Sequence, residues 1–303
     1  MRIMITGGTG LLGNALIETN GRHNHSICAV YYGDYRVADS GHARYFNTDI
    51  CDENKMAGLF QRARPEVVIH TAGIANVDRC EKEYDQARRS NVYGTKIVAD
   101  ACRRHNSRLV FISTNAVFDG KNAPYSEGAM PAPVNIYGKL KLEAEGLVKN
   151  SGLKHLIIRP ILMYGWNHAN ERANTVTWLV EKLKNGERVN IVNDVYENPI
   201  FNISCAEIIW SLVDSKSEGT YHVAGKDTVS RYEFAKIIAD IFGLEQVLIN
   251  QVSSDFFPGL APRPHNTSYD TSKVEKAIGM KMRGLREDLA FMKNLKENCH
   301  ANG

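Results

Sequence analysis

The chain has 303 residues, 43% hydrophobic and 23% charged, enough apolar surface for a full core, which excludes a disordered or collagen-like polymer. Its 37 Lys and Arg against 34 Asp and Glu leave a formal charge of +3 without a block of one sign, so no nucleic-acid partner is expected. Six cysteines scattered at 28, 51, 80, 102, 205 and 299, with no C-x-x-C pair, read as reduced thiols of a cytoplasmic protein.

In chain order, the apolar run after Met1 stops at Thr6-Gly7-Gly8, too early for a secretory signal. Short β-branched runs near 2–6, 26–32, 44–48, 66–71, 108–113 and 155–159 predict strands. Between them, apolar residues at helical spacing predict helices at 11–20, 53–63, 79–105 and 134–150. That alternation is the pattern of βαβ units around a parallel sheet. The stretch Leu153 to Trp166 is the nearest approach to a membrane span, but Lys154, His155, Arg159 and Pro160 break it, so no membrane partner is expected. After Pro160 the pattern changes to helices near 174–185, 204–214, 230–242 and 284–297, separated by loops such as 193–202 and 253–272. The expected fold class is α/β, a doubly wound parallel sheet with a smaller substrate-binding lobe. Residues 1–160 form the dinucleotide-binding domain, completed by 187–220, and 161–186 with 221–303 form the lobe.

The first strand runs straight into Gly7-Gly8-Thr9-Gly10-Leu11-Leu12-Gly13, which opens a helix. Glycines at that junction permit a tight turn, let the backbone approach a pyrophosphate and bring the helix close to the strand, the Rossmann-type arrangement. An acidic residue normally follows the second strand to hold the adenosine ribose. Here the strand ends at Tyr31-Tyr32-Gly33, with Asp34 and Arg36 beyond, which favours NADP over NAD; Asp34 curling back to the ribose is the alternative. Asp49-Ile50 after the third strand would border the adenine, and Thr71-Ala72-Gly73 after the fourth would border the nicotinamide ribose.

A tyrosine followed four residues later by lysine puts both on one helix face, where the ammonium would lower the phenol's pKa. Three of the thirteen tyrosines have that spacing: Tyr137 with Lys141, Tyr232 with Lys236, and Tyr269 with Lys273. Position decides among them. Only Tyr137 follows, by one loop, a strand ending in polar groups, Ser113-Thr114-Asn115. A carbonyl held there would be polarised by Thr114 and take its proton from Tyr137, with Lys141 on the cofactor ribose.

These residues resemble the extended short-chain dehydrogenase/reductases over nearly the whole chain. The carriers are TGGTGLLG at 6–13, NVYGT at 91–95, STNAVFDG at 113–120, YGKLK at 137–141 and RPILMYG at 159–165. Within that superfamily the chain is most similar to the dTDP-4-dehydrorhamnose reductase family, through STNAVFDGKNAPYSE, PAPVNIYGKLKLEAE and APRPHNTSYDTSKVEKAIG at 261–279. The resemblance implies reduction of a 4-keto group on a nucleoside-diphosphate sugar, with Thr114, Tyr137 and Lys141 in the roles above. It also shows departures on the sugar side: Asn115 where those reductases usually carry Asp, Arg79 where a Lys is expected, and Leu162 near the place of a substrate-facing Trp. Asn115-Ala116 excludes the Asp-Glu elimination chemistry of the superfamily's dehydratases. Alternatives are another sugar-nucleotide epimerase or reductase, and an NADP-binding regulatory subunit resembling the methionine adenosyltransferase β subunit. A homodimer is left open.

Four other features carry two readings each. Arg263 and His265 would grip a diphosphate or be solvated, and Asn91 would support the active site or kink its helix. His23 and His25 lack a neighbouring carboxylate in sequence and read as solvated, so no metal is expected. Trp178 and Trp210 fit apolar helix faces and read as core.

Overall fold

The computed structural model describes residues 1–34, 37, 41–168 and 172–301. Its first half contains strands β1 (Arg2–Thr6), β2 (Ser26–Tyr31), β3 (Arg44–Asn47), β4 (Val67–His70), β5 (Arg108–Ile112) and β6 (His155–Pro160). The helices between them are α1 (Leu11–Thr19), α2 (Glu53–Ala63), α3 (Val77–Lys82), α4 (Tyr84–Arg88), α5 (Thr95–His105) and α6 (Ile136–Lys149). The single helix expected over 79–105 is thus broken into α3, α4, a π-helical turn at Arg89–Gly94, and α5. Asn91 sits in that turn, and its side chain accepts from Ile74 N at 2.8 Å and donates to Ile74 O at 3.0 Å. The wider π turn lets one amide satisfy both backbone groups of the loop after β4.

The second half contributes β7 (Met163–Tyr164), β8 (Val189–Val192), β9 (Tyr196–Glu197), β10 (Ile200–Phe201), β11 (Gly219–Val223), β12 (Val229–Ser230) and β13 (Ile249–Val252). Its helices are α7 (Thr175–Lys184), α8 (Asn202–Asp214), α9 (Arg231–Phe242), α10 (Ser272–Ile278) and α11 (Leu285–Ala301). Seven parallel strands form the main sheet in the order β11-β6-β5-β4-β1-β2-β3. The order reverses direction between β1 and β4, the place where an open α/β sheet forms a ligand crevice at its carboxyl edge.

The segment 187–220, expected to complete the sheet, divides. Val189–Val192 pairs with Ile249–Val252 in the smaller lobe, whereas α8 packs on α1 and leads into β11 at the sheet edge. A parallel neighbour needs a crossover, and the helix directly before β11 supplies it.

Alternation along the strands separates two cores. Ile3 and Ile5 of β1 face α1 and α8, meeting Leu16 and the fully buried Trp210; Met4 faces the other side, with Phe60, Val98 and Ala144. A third cluster, including Tyr164, Leu179, Phe201, Phe234 and Leu289, is the core of the smaller lobe. Among the described residues no helix is long and apolar enough to cross a membrane.

Candidate active site

One cleft of about 1150 Å³ runs along the carboxyl ends of β1, β4 and β5 and continues under the smaller lobe. Its phosphate end is made of backbone. Gly7, Thr9, Gly10, Leu11 and Leu12 line it, and Gly10 caps α1 without a side chain to occupy the first-turn amides. Gly13 lies beneath: a Cβ there would meet Gly7 O at 2.2 Å, so only glycine lets α1 sit this close to the turn. A helix start with free amides and no acidic residue in its first turn suits an anionic diphosphate.

Farther along, Tyr31, Asp49, Ile50, Thr71, Ala72 and Gly73 all line the same cleft. Asp49 is held in place, accepting from Cys51 N at 2.8 Å and Arg89 at 3.0 Å. Asp34 is exposed and is not one of the lining residues; Arg36 lies outside the described residues.

The catalytic candidates meet where β5 ends. Thr114 caps a 3-10 turn, its Oγ1 accepting from Ala116 N at 3.1 Å. Asn135 caps α6 by accepting from Gly138 N at 2.8 Å. A Cβ at Gly138 would lie 2.0 Å from Ala116 O, so that glycine brings α6 against the Thr114 turn. Tyr137 is thereby set beside Thr114 in the same cleft. Desolvation pushes the Tyr137 phenol up to about 12, with the neighbouring Thr114 hydroxyl pulling the other way. The expectation that Lys141 lowers this phenol is not met. Burial drives Lys141 itself down to about 7, against the raising influence of Glu145, and its Nζ donates to Ile112 O at 2.5 Å.

Below this floor lies a buried ion pair. Arg159 of β6 donates to Glu145 of α6 from Nε at 2.8 Å and from Nη2 at 2.7 Å, and the Ser113 hydroxyl donates to Glu145 at 2.6 Å. With Lys141 on Ile112 O, α6 is therefore bonded to two consecutive residues of the strand end that carries Thr114.

The sugar end is built from side chains already paired. Asn115 and Leu162 line this part of the cleft. Arg263 also lines it, but as a fork on Asp78, at 2.7 and 3.1 Å, holding that carboxyl below its usual range. Arg79 does not reach the cleft. It follows its own helical surface, bonding Glu83 at 2.7 Å and Gln86 at 2.8 Å.

Among the lining residues that sequence reasoning missed are Trp178, Glu197, Arg231 and Thr267. Trp178, read as core, is 36% exposed and faces the cleft, whereas Trp210 is buried as expected. Only the periodicity of α7 could have placed Trp178, and it does not separate a core stripe from a cleft wall. At the opposite edge of the sheet, His23 and His25 do meet a carboxylate, Asp214 at the end of α8, at 2.6 and 3.1 Å. The fold brings it from far along the chain, so local sequence could not show it.

A family model described as RmlD substrate binding domain matches residues 1–297. A dTDP-4-dehydrorhamnose reductase from Aggregatibacter actinomycetemcomitans is 29% identical over 294 residues, covering 92% of this chain and 94% of its own. The methionine adenosyltransferase 2 subunit beta of Xenopus laevis is 29% identical over 298 residues, covering 95% of this chain and 87% of its own. Among solved structures, a dTDP-4-dehydrorhamnose reductase from Bacillus anthracis in complex with NADP is similar with a TM-score of 0.85 at 29% identity, over 96% of this chain and 98% of that one.

Proposed function

The chain belongs to the RmlD substrate binding domain family, and from that premise we propose that it reduces the 4-keto group of a nucleoside-diphosphate deoxysugar with NADPH. One observation carries the reading: the Thr114 hydroxyl, the Tyr137 phenol and the Lys141 ammonium converge in the same cleft as the glycine turn. The bound nicotinamide would supply a hydride to the keto carbon. Tyr137 would give its phenolic proton to the keto oxygen, so that the carbonyl becomes an alcohol, and a phenol pushed up to about 12 is fully protonated for that task. Thr114 would polarise the same oxygen. Lys141 would exchange Ile112 O for the ribose hydroxyls. The NADP in the B. anthracis structure supports NADP over NAD.

A panel of nucleoside-diphospho-4-keto sugars followed by NADPH absorbance tests the reading. Tyr137→Phe should lower kcat by about 10²- to 10⁴-fold while leaving NADP binding intact. A Tyr137→Phe variant as fast as the parent would remove Tyr137 from the chemistry. A regulatory role like that of the methionine adenosyltransferase relatives would gain if NADP bound but no keto sugar turned over.

A further inference from the structure

We propose that Glu197 is a positioning residue for this reduction, acting through Asn115 to fix the orientation of the Thr114 hydroxyl. The inference rests on the ketoreductase reading above. Glu197 ends β9 with a side chain only 9% exposed, in the cleft wall contributed by the smaller lobe. Its Oε1 accepts from Asn115 Nδ2 at 2.9 Å, and Thr267 Oγ1 accepts from the same nitrogen at 2.7 Å.

An amide nitrogen has two hydrogens, and both are used here; an ionised carboxylate can only accept. Glu197 therefore dictates which end of the Asn115 amide faces it, and Oδ1 is left for Thr114 Oγ1 at 3.3 Å. The Thr114 hydroxyl has one hydrogen. With Ala116 N–H on its oxygen and its hydrogen resting on Asn115 Oδ1 through a long 3.3 Å bond, the hydroxyl is held in place before substrate arrives, and its one hydrogen passes from Asn115 to the keto oxygen when the sugar binds. Preorganised donors and acceptors at a reacting oxygen are where rate is gained.

Arg231, the first residue of α9, explains why a carboxylate is tolerated in this wall. Its Nη2 lies 2.6 Å from Glu197 Oε2, although neither Oε2 nor Arg231 Nε has an aligned hydrogen bond. Arg231 thus supplies charge compensation, while the directional bonds of Glu197 go to Asn115. Thr114 and Asn115 belong to the sheet and Glu197 to the lobe, so the orientation is complete only when both halves are in register.

The test exchanges the partners. Asn115→Asp sets two carboxylates face to face, whereas Asn115→Asp with Glu197→Gln restores one donor and one acceptor, now reversed, and again leaves an oxygen toward Thr114. With the keto sugar turned over by the parent, Asn115→Asp should lower kcat about tenfold with KM for NADPH unchanged, and adding Glu197→Gln should return kcat to within about threefold of the parent. In a Thr114→Val background, Asn115→Asp should cost less than about twofold more, because the residue it acts through is gone.

A parental kcat in Asn115→Asp, a failed rescue, or a full additional loss in the Thr114→Val background would each overturn the positioning role. If Asn115→Asp does not fold, the rescue is read from the double variant alone: parental kcat supports the role, and kcat as low as that of Thr114→Val overturns it. A parent inactive on every keto sugar overturns the ketoreductase reading itself, a result that none of the variants would mimic.

Discussion

The two ends of the cleft prepare for a ligand by opposite means. At the phosphate end the chain offers main-chain groups of one short turn, with no side-chain cap on α1. At the sugar end it offers side chains that are already satisfied: Arg263 on Asp78, 185 residues away, and Asn115 on Glu197, 82 residues away. A diphosphate at the first end meets a helix start that no side chain caps. A sugar at the second either leaves those pairs intact or exchanges them, so its affinity is a difference between two bonded states and is the more sensitive to substrate shape.

The strongest way to break this division is at the phosphate end. Gly13→Ala forces a Cβ to within 2.2 Å of a backbone oxygen, and the fold should lose about 2–4 kcal/mol, with NADP binding weakened by tenfold or more. Chemical denaturation and NADPH fluorescence titration read both. Parental values would mean that the turn is not the rigid element described.

Lys141 lies between the two ends, and its prediction concerns sign. Its folded pKa, near 7, is depressed from 10.5, so the folded state binds fewer protons than the unfolded one between those values. Stability from this group rises with pH from 7 to 10.5 and is flat below 7. Lys141→Met should therefore abolish turnover yet stabilise the fold by about 1–3 kcal/mol at pH 7, the gain shrinking toward pH 10. Melts of parent and variant at pH 6.5 and 9.5 that differ by the same amount would refute it.

The smallest effect sharpens the sugar end. Arg263→Gln removes a partly exposed pair and should change stability by less than about 1 kcal/mol. It should raise KM for the sugar nucleotide about three- to tenfold and leave the NADP Kd alone. An equal shift in both constants would erase the distinction between the ends.

The same division explains what could be read from the chain. The glycine turn, the six strands of the first half and the Tyr137–Lys141 pair are local patterns, so their periodicity and spacing carry them. Glu197 and Arg231 form an ion pair only after β9 and α9 have folded against each other, and no spacing announces it. Arg79 and Arg263 looked equivalent as cations, yet one stays on its own helix and the other crosses to Asp78. The break at Arg89–Gly94 was open only as a kink at Asn91, because the bonds that make it run to a loop 17 residues earlier. β11 did carry a signal, the short run Thr220–Val223 after Gly219, but its sheet neighbour lies some sixty residues upstream.

That seventh strand limits how the protein can be taken apart. A piece ending at Pro160 would contain all the nucleotide-facing motifs yet leave β6 with an unpaired edge and α1 without the Trp210 contact. Bare parallel edges recruit other chains. Residues 1–160 made alone should therefore self-associate beyond the state of the whole chain, and a grafted or split version of this protein must carry 202–223 with the first half to keep that edge covered.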